Sequence, residues 1–190
     1  MLARRLTAQL LAGPPAADPV AVCERLLAVQ GQDPRAVRLA VRARTRGLTA
    51  ADVDRALDDR SLLITWVNRG TLHLLRSEDY AWLHAVTAPQ HLTAVMRRLG
   101  EEGVADPEPG VVAIERALTE DGPLTREELR PRVEAAAGPE SARALYQLLF
   151  LAALRRLVVR GPMKGKQHAY VLVRDWLGEQ PPVDRDAALA

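Results

Sequence analysis

Three groups of residues in this 190-residue sequence are placed to do chemistry. Gln30 and Gln32 set two neutral amides on either side of Gly31, where an apolar helical run ends. Arg160, Lys164 and Lys166, with Arg174 beyond them, surround a Gly-rich turn between two β-rich runs. Cys23 and the histidines His73, His84, His91 and His168 complete the inventory of residues able to act as nucleophile, base or ligand. Cys23 falls on the apolar face of a helix and reads as a small buried thiol. The histidines are scattered over different elements and read as surface or strand residues, so neither a metal nor another cofactor is expected. No G-x-S-x-G, H-E-x-x-H, P-loop or G-x-G-x-x-G stretch occurs.

The basic turn suggests polyanion chemistry. Lysines and arginines on such a hairpin contact a phosphate backbone, which holds and orients a strand without reading its bases. An edge hairpin kept soluble by lysine is the plainer reading. Net charge is only +2, yet the charges are segregated. Residues 25–46 carry six arginines against Asp33, residues 141–174 carry seven Lys/Arg and no acid, and residues 101–140 carry eleven acids against four arginines. That is the signature of a one-sided anion-binding surface, with solvated helix faces as the alternative. Arg35, Arg38 and Arg42 behind the glutamines, Arg69 in an Asn-Arg-Gly turn, and Arg160, Lys164 and Lys166 are the DNA-binding candidates.

The glutamines have two readings. Locally, Gly31 supplies a left-handed helix cap and Gln32 is simply exposed. With Asp33-Pro34 and the arginines that follow, the pair instead sits at the mouth of a nucleic-acid surface. Asp33 is expected to cap the next helix rather than to act as a base.

The elements that must position these residues follow from capping and periodicity. Helices are expected over 2–12, from Asp18-Pro19 to about 29, over 34–43, and from Thr49 to about 58 with Asp52 in a capping box. A hairpin follows, 62–67 and 71–75 around Asn68-Arg69-Gly70. The order then recurs: a helix over 111–119, a break at Gly122-Pro123, a helix capped by Thr125 and Glu128, a break at Gly138-Pro139, a helix over 141–156, and strands at 157–160 and 168–173. Helices followed by a hairpin, twice, predict a mainly α chain with small β-hairpins, built as tandem winged-helix units over 1–76 and 110–175. A helical connector over 77–109, started by Ser77, and a linker or tail over 176–190 containing Gln180-Pro181-Pro182 complete the organisation.

With 48% apolar residues the chain can bury a core. No run approaches the roughly 18 to 20 apolar residues that span a bilayer. The basic N-terminus has too short an apolar stretch for a signal peptide. A cytoplasmic, nucleoid-associated protein without membrane contact is expected.

LLAVQGQDP at 26–34 and TWVNRGTLHLLRSEDYAWL at 65–83 resemble the Q-x-Q stretch and the R-G-T-L-H hairpin of the AlkZ/YcaQ-type DNA glycosylases, a winged-helix family. The second unit is similar in pattern rather than in letters. The family's central motif residue is commonly small or apolar, and Gly31 departs mildly from it. Members add a further winged helix and a C-terminal β-rich domain, so the resemblance covers their first half. It implies hydrolysis of the N-glycosidic bond of alkylated purines in damaged double-stranded DNA, including bulky adducts and interstrand crosslinks. It also implies that Gln30 and Gln32 hold and polarise the attacking water, with no lysine nucleophile and no metal. Two other classes stay open: a non-catalytic winged-helix module or transcriptional regulator, and a small interaction protein whose basic hairpins are incidental.

Overall fold

In the computed structural model the described residues are 2–138, 141–180 and 182–189; Pro139 and Pro181, expected at breaks, lie outside them. The protein is mostly helical, with one small antiparallel sheet. In chain order the elements are α1 (Leu2–Ala8), α2 (Pro19–Leu26), β1 (Val29–Gln30), α3 (Pro34–Arg42), α4 (Ala50–Asp58), β2 (Leu62–Val67) and β3 (Thr71–Arg76). A 3-10 turn (Ser77–Asp79) leads into α5 (Tyr80–Thr87), and a second (Pro89–His91) into α6 (Leu92–Glu101). There follow α7 (Glu108–Asp121), α8 (Arg126–Ala137), α9 (Ala142–Leu154), β4 (Val158–Lys164), β5 (Gln167–Leu172), α10 (Val173–Leu177) and α11 (Arg185–Leu189).

The helix starts obey their caps. Asp18 accepts from the Ala21 N–H at 2.8 Å with Pro19 behind it, and Asp33 accepts from Arg35 and Ala36 N–H at 2.9 and 2.7 Å. Thr49 with Asp52, and Thr125 with Glu128, form capping boxes. Each cap satisfies amides that would otherwise be left without a partner, which fixes where α2, α3, α4 and α8 begin. Other boundaries differ from expectation. Helix α1 stops at Ala8 and buries no residue, and Ser77 donates its hydroxyl to the Arg60 carbonyl instead of capping a helix.

The two hairpins occupy one sheet, in the order β1-β3-β2-β4-β5, joined where Ile64 pairs with Arg160. The cause lies in LLITWV: all six residues of β2 are buried, so this strand needs cover on both faces and a neighbour along both edges. One face carries Ile64, Trp66, Leu74, Tyr170 and Leu172 into the main core with α9, whose apolar residues are buried nearly all round. The other face carries Leu63, Val67, Leu75 and Val171 against Tyr80 and Leu83 of α5 and Val173 of α10. Beyond Gly178 the tail includes α11, which lies against α5. Among the described residues no helix is long and apolar enough to cross a membrane.

Candidate functional site

Gln30, Gly31 and Gln32 do not end a helix. Helix α2 stops at Leu26, and Leu27, not Gly31, takes the positive φ (66°) at the helix end. The chain then extends as β1 along β3, with Val29 opposite Leu74 and Gln30 opposite His73. Gly31 donates its N–H to the Leu72 carbonyl at 2.7 Å. A Cβ on Gly31 would lie 3.3 Å from the Leu74 nitrogen, a tight contact with backbone, so the glycine serves close strand approach. Gln32 closes the strand with its side chain: Oε1 accepts the Leu72 N–H at 3.4 Å.

Residues paired across antiparallel strands share a face, so Gln30, His73 and Thr65 form one row across β1, β3 and β2. His73 Nδ1 lies 2.9 Å from the Thr71 carbonyl, which can only accept. The ring is therefore protonated at Nδ1 and keeps its lone pair on Nε2. Burial lowers its pKa, against the bond to Thr71, which raises it. Thr65 Oγ1 is buried without a partner among the described residues.

Gln32 also borders a cavity of about 340 Å³ between the sheet, α8 and α9, in the size range of small-molecule sites. Arg126, Arg160 and Lys166 line it together with Tyr146, His168 and Tyr170, and among the described residues no carboxylate does. Arg160 is held by aromatic groups: Nε and Nη2 donate to the Tyr170 hydroxyl at 3.1 and 2.7 Å, and the guanidinium lies 5.3 Å from the Trp66 ring centre. Trp66 in turn donates its indole N–H to the Tyr146 hydroxyl at 3.0 Å. A larger groove of about 570 Å³, between α7 and α8, is lined by alanines, Val112 and a mixture of Arg116, Glu120 and Arg132. It brings together no comparable set of polar groups.

The AlkZ-like family model, described as DNA glycosylase AlkZ-like, matches residues 23–190. The chain belongs to this family. A solved structure similar to this AlkZ-like chain is Streptomyces sahachiroi DNA glycosylase AlkZ, 25% identical with a TM-score of 0.67. The likeness covers 97% of this chain and 52% of that one, so the chain spans about half the length of the structure it matches. No curated protein matches it.

The AlkZ-like fold brings Gln32, Arg160 and Lys166 together round the cavity and leaves Gln30 exposed on the sheet edge, in the His73 row, on the face opposite the one that Leu72 and Tyr170 give to the cavity. Arg35, Arg42 and Arg69 are exposed on α3 and the first hairpin turn, Arg42 donating Nε to the Leu48 carbonyl at 3.1 Å. Arg38 is buried and ion-paired with Asp54, Nε to Oδ1 at 2.6 Å. Lys164 pairs with Glu128 at 2.7 Å and donates to the Pro123 carbonyl, so the second hairpin is tied to α8. This bond and the Thr125 cap pull the Glu128 pKa down to about 2. Arg126, Tyr146 and Tyr170 escaped the sequence reading and His168 was read as a surface or strand histidine, because three separate elements supply these residues. One signal was present: Tyr146 and Tyr170 are two of three tyrosines in a chain with one phenylalanine.

Proposed function

We propose that this AlkZ-like chain is a DNA-repair glycosylase that hydrolyses the N-glycosidic bond of alkylated purines in damaged double-stranded DNA, bulky adducts and interstrand crosslinks included. The observation that carries this reading is the Gln32 amide on the rim of a cavity lined by Arg126, Arg160 and Lys166. A purine alkylated at N7 or N3 is already cationic, so its departure needs little protonation. What the protein must supply is a positioned water and a surrounding that tolerates an oxocarbenium-like sugar. Neutral amides do both. Gln32 Oε1 keeps a second lone pair after accepting the Leu72 N–H, and Gln30 stands on the same short strand. We assign Gln30 and Gln32 to the water, and Arg35, Arg42, Arg69, Arg160 and Lys166 to the DNA. Arg38 and Lys164 hold the elements that present them.

In this reading 1–76 and 110–175 are winged-helix units whose hairpins have merged into one sheet, with 77–109 as connector and 176–190 as tail. The protein works in the cytoplasm on nucleoid DNA and needs no cofactor. Single-turnover release of a 7-alkylguanine from a duplex tests the activity. Release that Gln30→Ala and Gln32→Ala abolish supports it; a chain that binds duplex DNA but releases no base is a binding module.

A further inference from the structure

Two features of the cavity at the sheet, α8 and α9 call for a particular kind of ligand. The first is charge. Arg126, Lys166 and the Arg160 Nη1 point to an anion, since none of them has a protein partner among the described residues and no carboxylate lines the wall. Neighbouring acids are engaged elsewhere: Glu127 accepts from Gln167 at 2.7 Å, Glu128 from Lys164, Asp54 from Arg38 at 2.6 Å and Asp33 from the first amides of α3. The hydroxyls of Tyr146 and Tyr170 accept from Trp66 and Arg160, which leaves each O–H proton free to donate.

The second feature is an acceptor. His168 borders the cavity and is only 4% exposed. Its Nδ1 faces the Gly161 carbonyl at 3.4 Å, so the ring proton belongs there, and Nε2 is buried without a partner among the described residues. Burial holds the His168 pKa down at about 4, with Arg38 and Arg160 lowering it and Asp54 and the Gly161 bond raising it. The ring is a neutral acceptor, and a buried acceptor left unsatisfied is costly. An anion alone does not satisfy it. A ligand carrying an anion and a hydroxyl does.

We infer that the cavity seats one sugar-phosphate unit, its phosphate between Arg126, Arg160 and Lys166 and a sugar hydroxyl donating to His168 Nε2. Resting on the glycosylase reading, the unit is the abasic deoxyribose that base removal leaves. Hydrolysis of the N-glycosidic bond puts a hydroxyl on C1′, the donor that the intact nucleotide lacks. The cavity is then a product subsite adjoining Gln32.

The test uses the 190-residue chain and small probes, with binding read by calorimetry and by intrinsic tryptophan fluorescence. At pH 8, 2-deoxyribose 5-phosphate should bind, sulfate more weakly, and 2-deoxyribose without phosphate not at all. Arg160→Met should weaken both anions roughly tenfold or more, as expected for lost charge-assisted bonds. His168→Phe should weaken the sugar phosphate several-fold and leave sulfate unchanged. Lys166→Met, at an exposed position, and Arg126→Met replace Arg160→Met if that variant does not fold. Absence of saturable binding, or an equal effect of His168→Phe on both anions, overturns the inference. A duplex carrying an abasic unit, compared with one carrying its tetrahydrofuran analogue, separates the two readings. Preference for the hydroxyl that His168→Phe removes supports both. Sugar-phosphate binding without any duplex binding keeps the pocket and ends the glycosylase reading. Duplex binding that ignores the hydroxyl, with no sugar-phosphate binding, keeps DNA and ends the pocket.

Discussion

Gln30 and His73 stand directly opposite one another across the β1–β3 pair, with Thr65 next in the row on β2. The Thr71 carbonyl fixes the His73 proton on Nδ1 and burial disfavours a second one. The Gln30 amide therefore lies beside a neutral ring. In 15N-resolved spectra His73 should show the Nδ1–H tautomer at pH 7 and titrate below 6.5. Titration above 6.5 would place a cation beside Gln30 and contradict this description.

The two lysines of the second hairpin should behave differently. Lys166 is exposed at the cavity, whereas Lys164 is spent on Glu128. Lys166→Glu should weaken duplex binding alike for all sequences and lower the slope of log affinity against log salt by about 0.9. Lys164→Gln should leave that slope nearly unchanged and loosen α8. Equal slopes for the two variants would mean that the Lys164–Glu128 pair opens on DNA.

Arg38 should prove to be a folding residue. Its side chain is 9% exposed and that of its partner Asp54 is 35% exposed. Removing one member of a buried pair costs about 3–5 kcal/mol, and the partial exposure of Asp54 puts Arg38→Ala at the low end, about 3 kcal/mol. The urea midpoint measures this. A loss of DNA affinity at unchanged stability would return Arg38 to the DNA surface.

Acid should destabilise the fold as two buried histidines take up protons below pH 6.5. Burial pushes both His84 and His168 down to about 4 from the usual 6.5. Between these values the unfolded chain binds more protons than the folded one, so stability rises with pH across that window. Each ring contributes on the order of 3 kcal/mol, fully present above pH 6.5 and lost as pH falls towards 4. His84→Gln, which can still donate to the Ala153 carbonyl that accepts from Nε2 at 3.0 Å, should flatten the pH dependence of the melting temperature. An unaltered slope would show that the histidines are not its source.

Helix starts were legible in the sequence because a cap is a local device: Asp18, Asp33, Thr49 with Asp52 and Thr125 with Glu128 act within three residues of themselves. The first hairpin was legible for the same reason, since Asn68 and Gly70 supply its two positive φ angles. What depends on distant partners was not. The β1 strand exists because β3 offers an open edge, and nothing in AVQGQ itself distinguishes a frayed helix end from a two-residue strand. The joining of the hairpins had one visible sign: LLITWV is apolar without alternation, the pattern of a central strand. Arg38 reads as surface charge until Asp54, sixteen residues on, is brought against it.

Single-turnover excision of a cationic 7-alkylguanine from duplex DNA tests the central claim most directly, comparing the unmodified chain with Gln30→Ala and Gln32→Ala. An amide that orients the attacking water acts on the transition state more than on the bound ground state. Each substitution should therefore slow the chemical step on the order of 10²-fold, or roughly 3 kcal/mol, while duplex affinity and melting temperature stay nearly unchanged. Both variants excising at the unmodified rate would contradict the account and leave Gln30-Gly31-Gln32 as an edge strand alone.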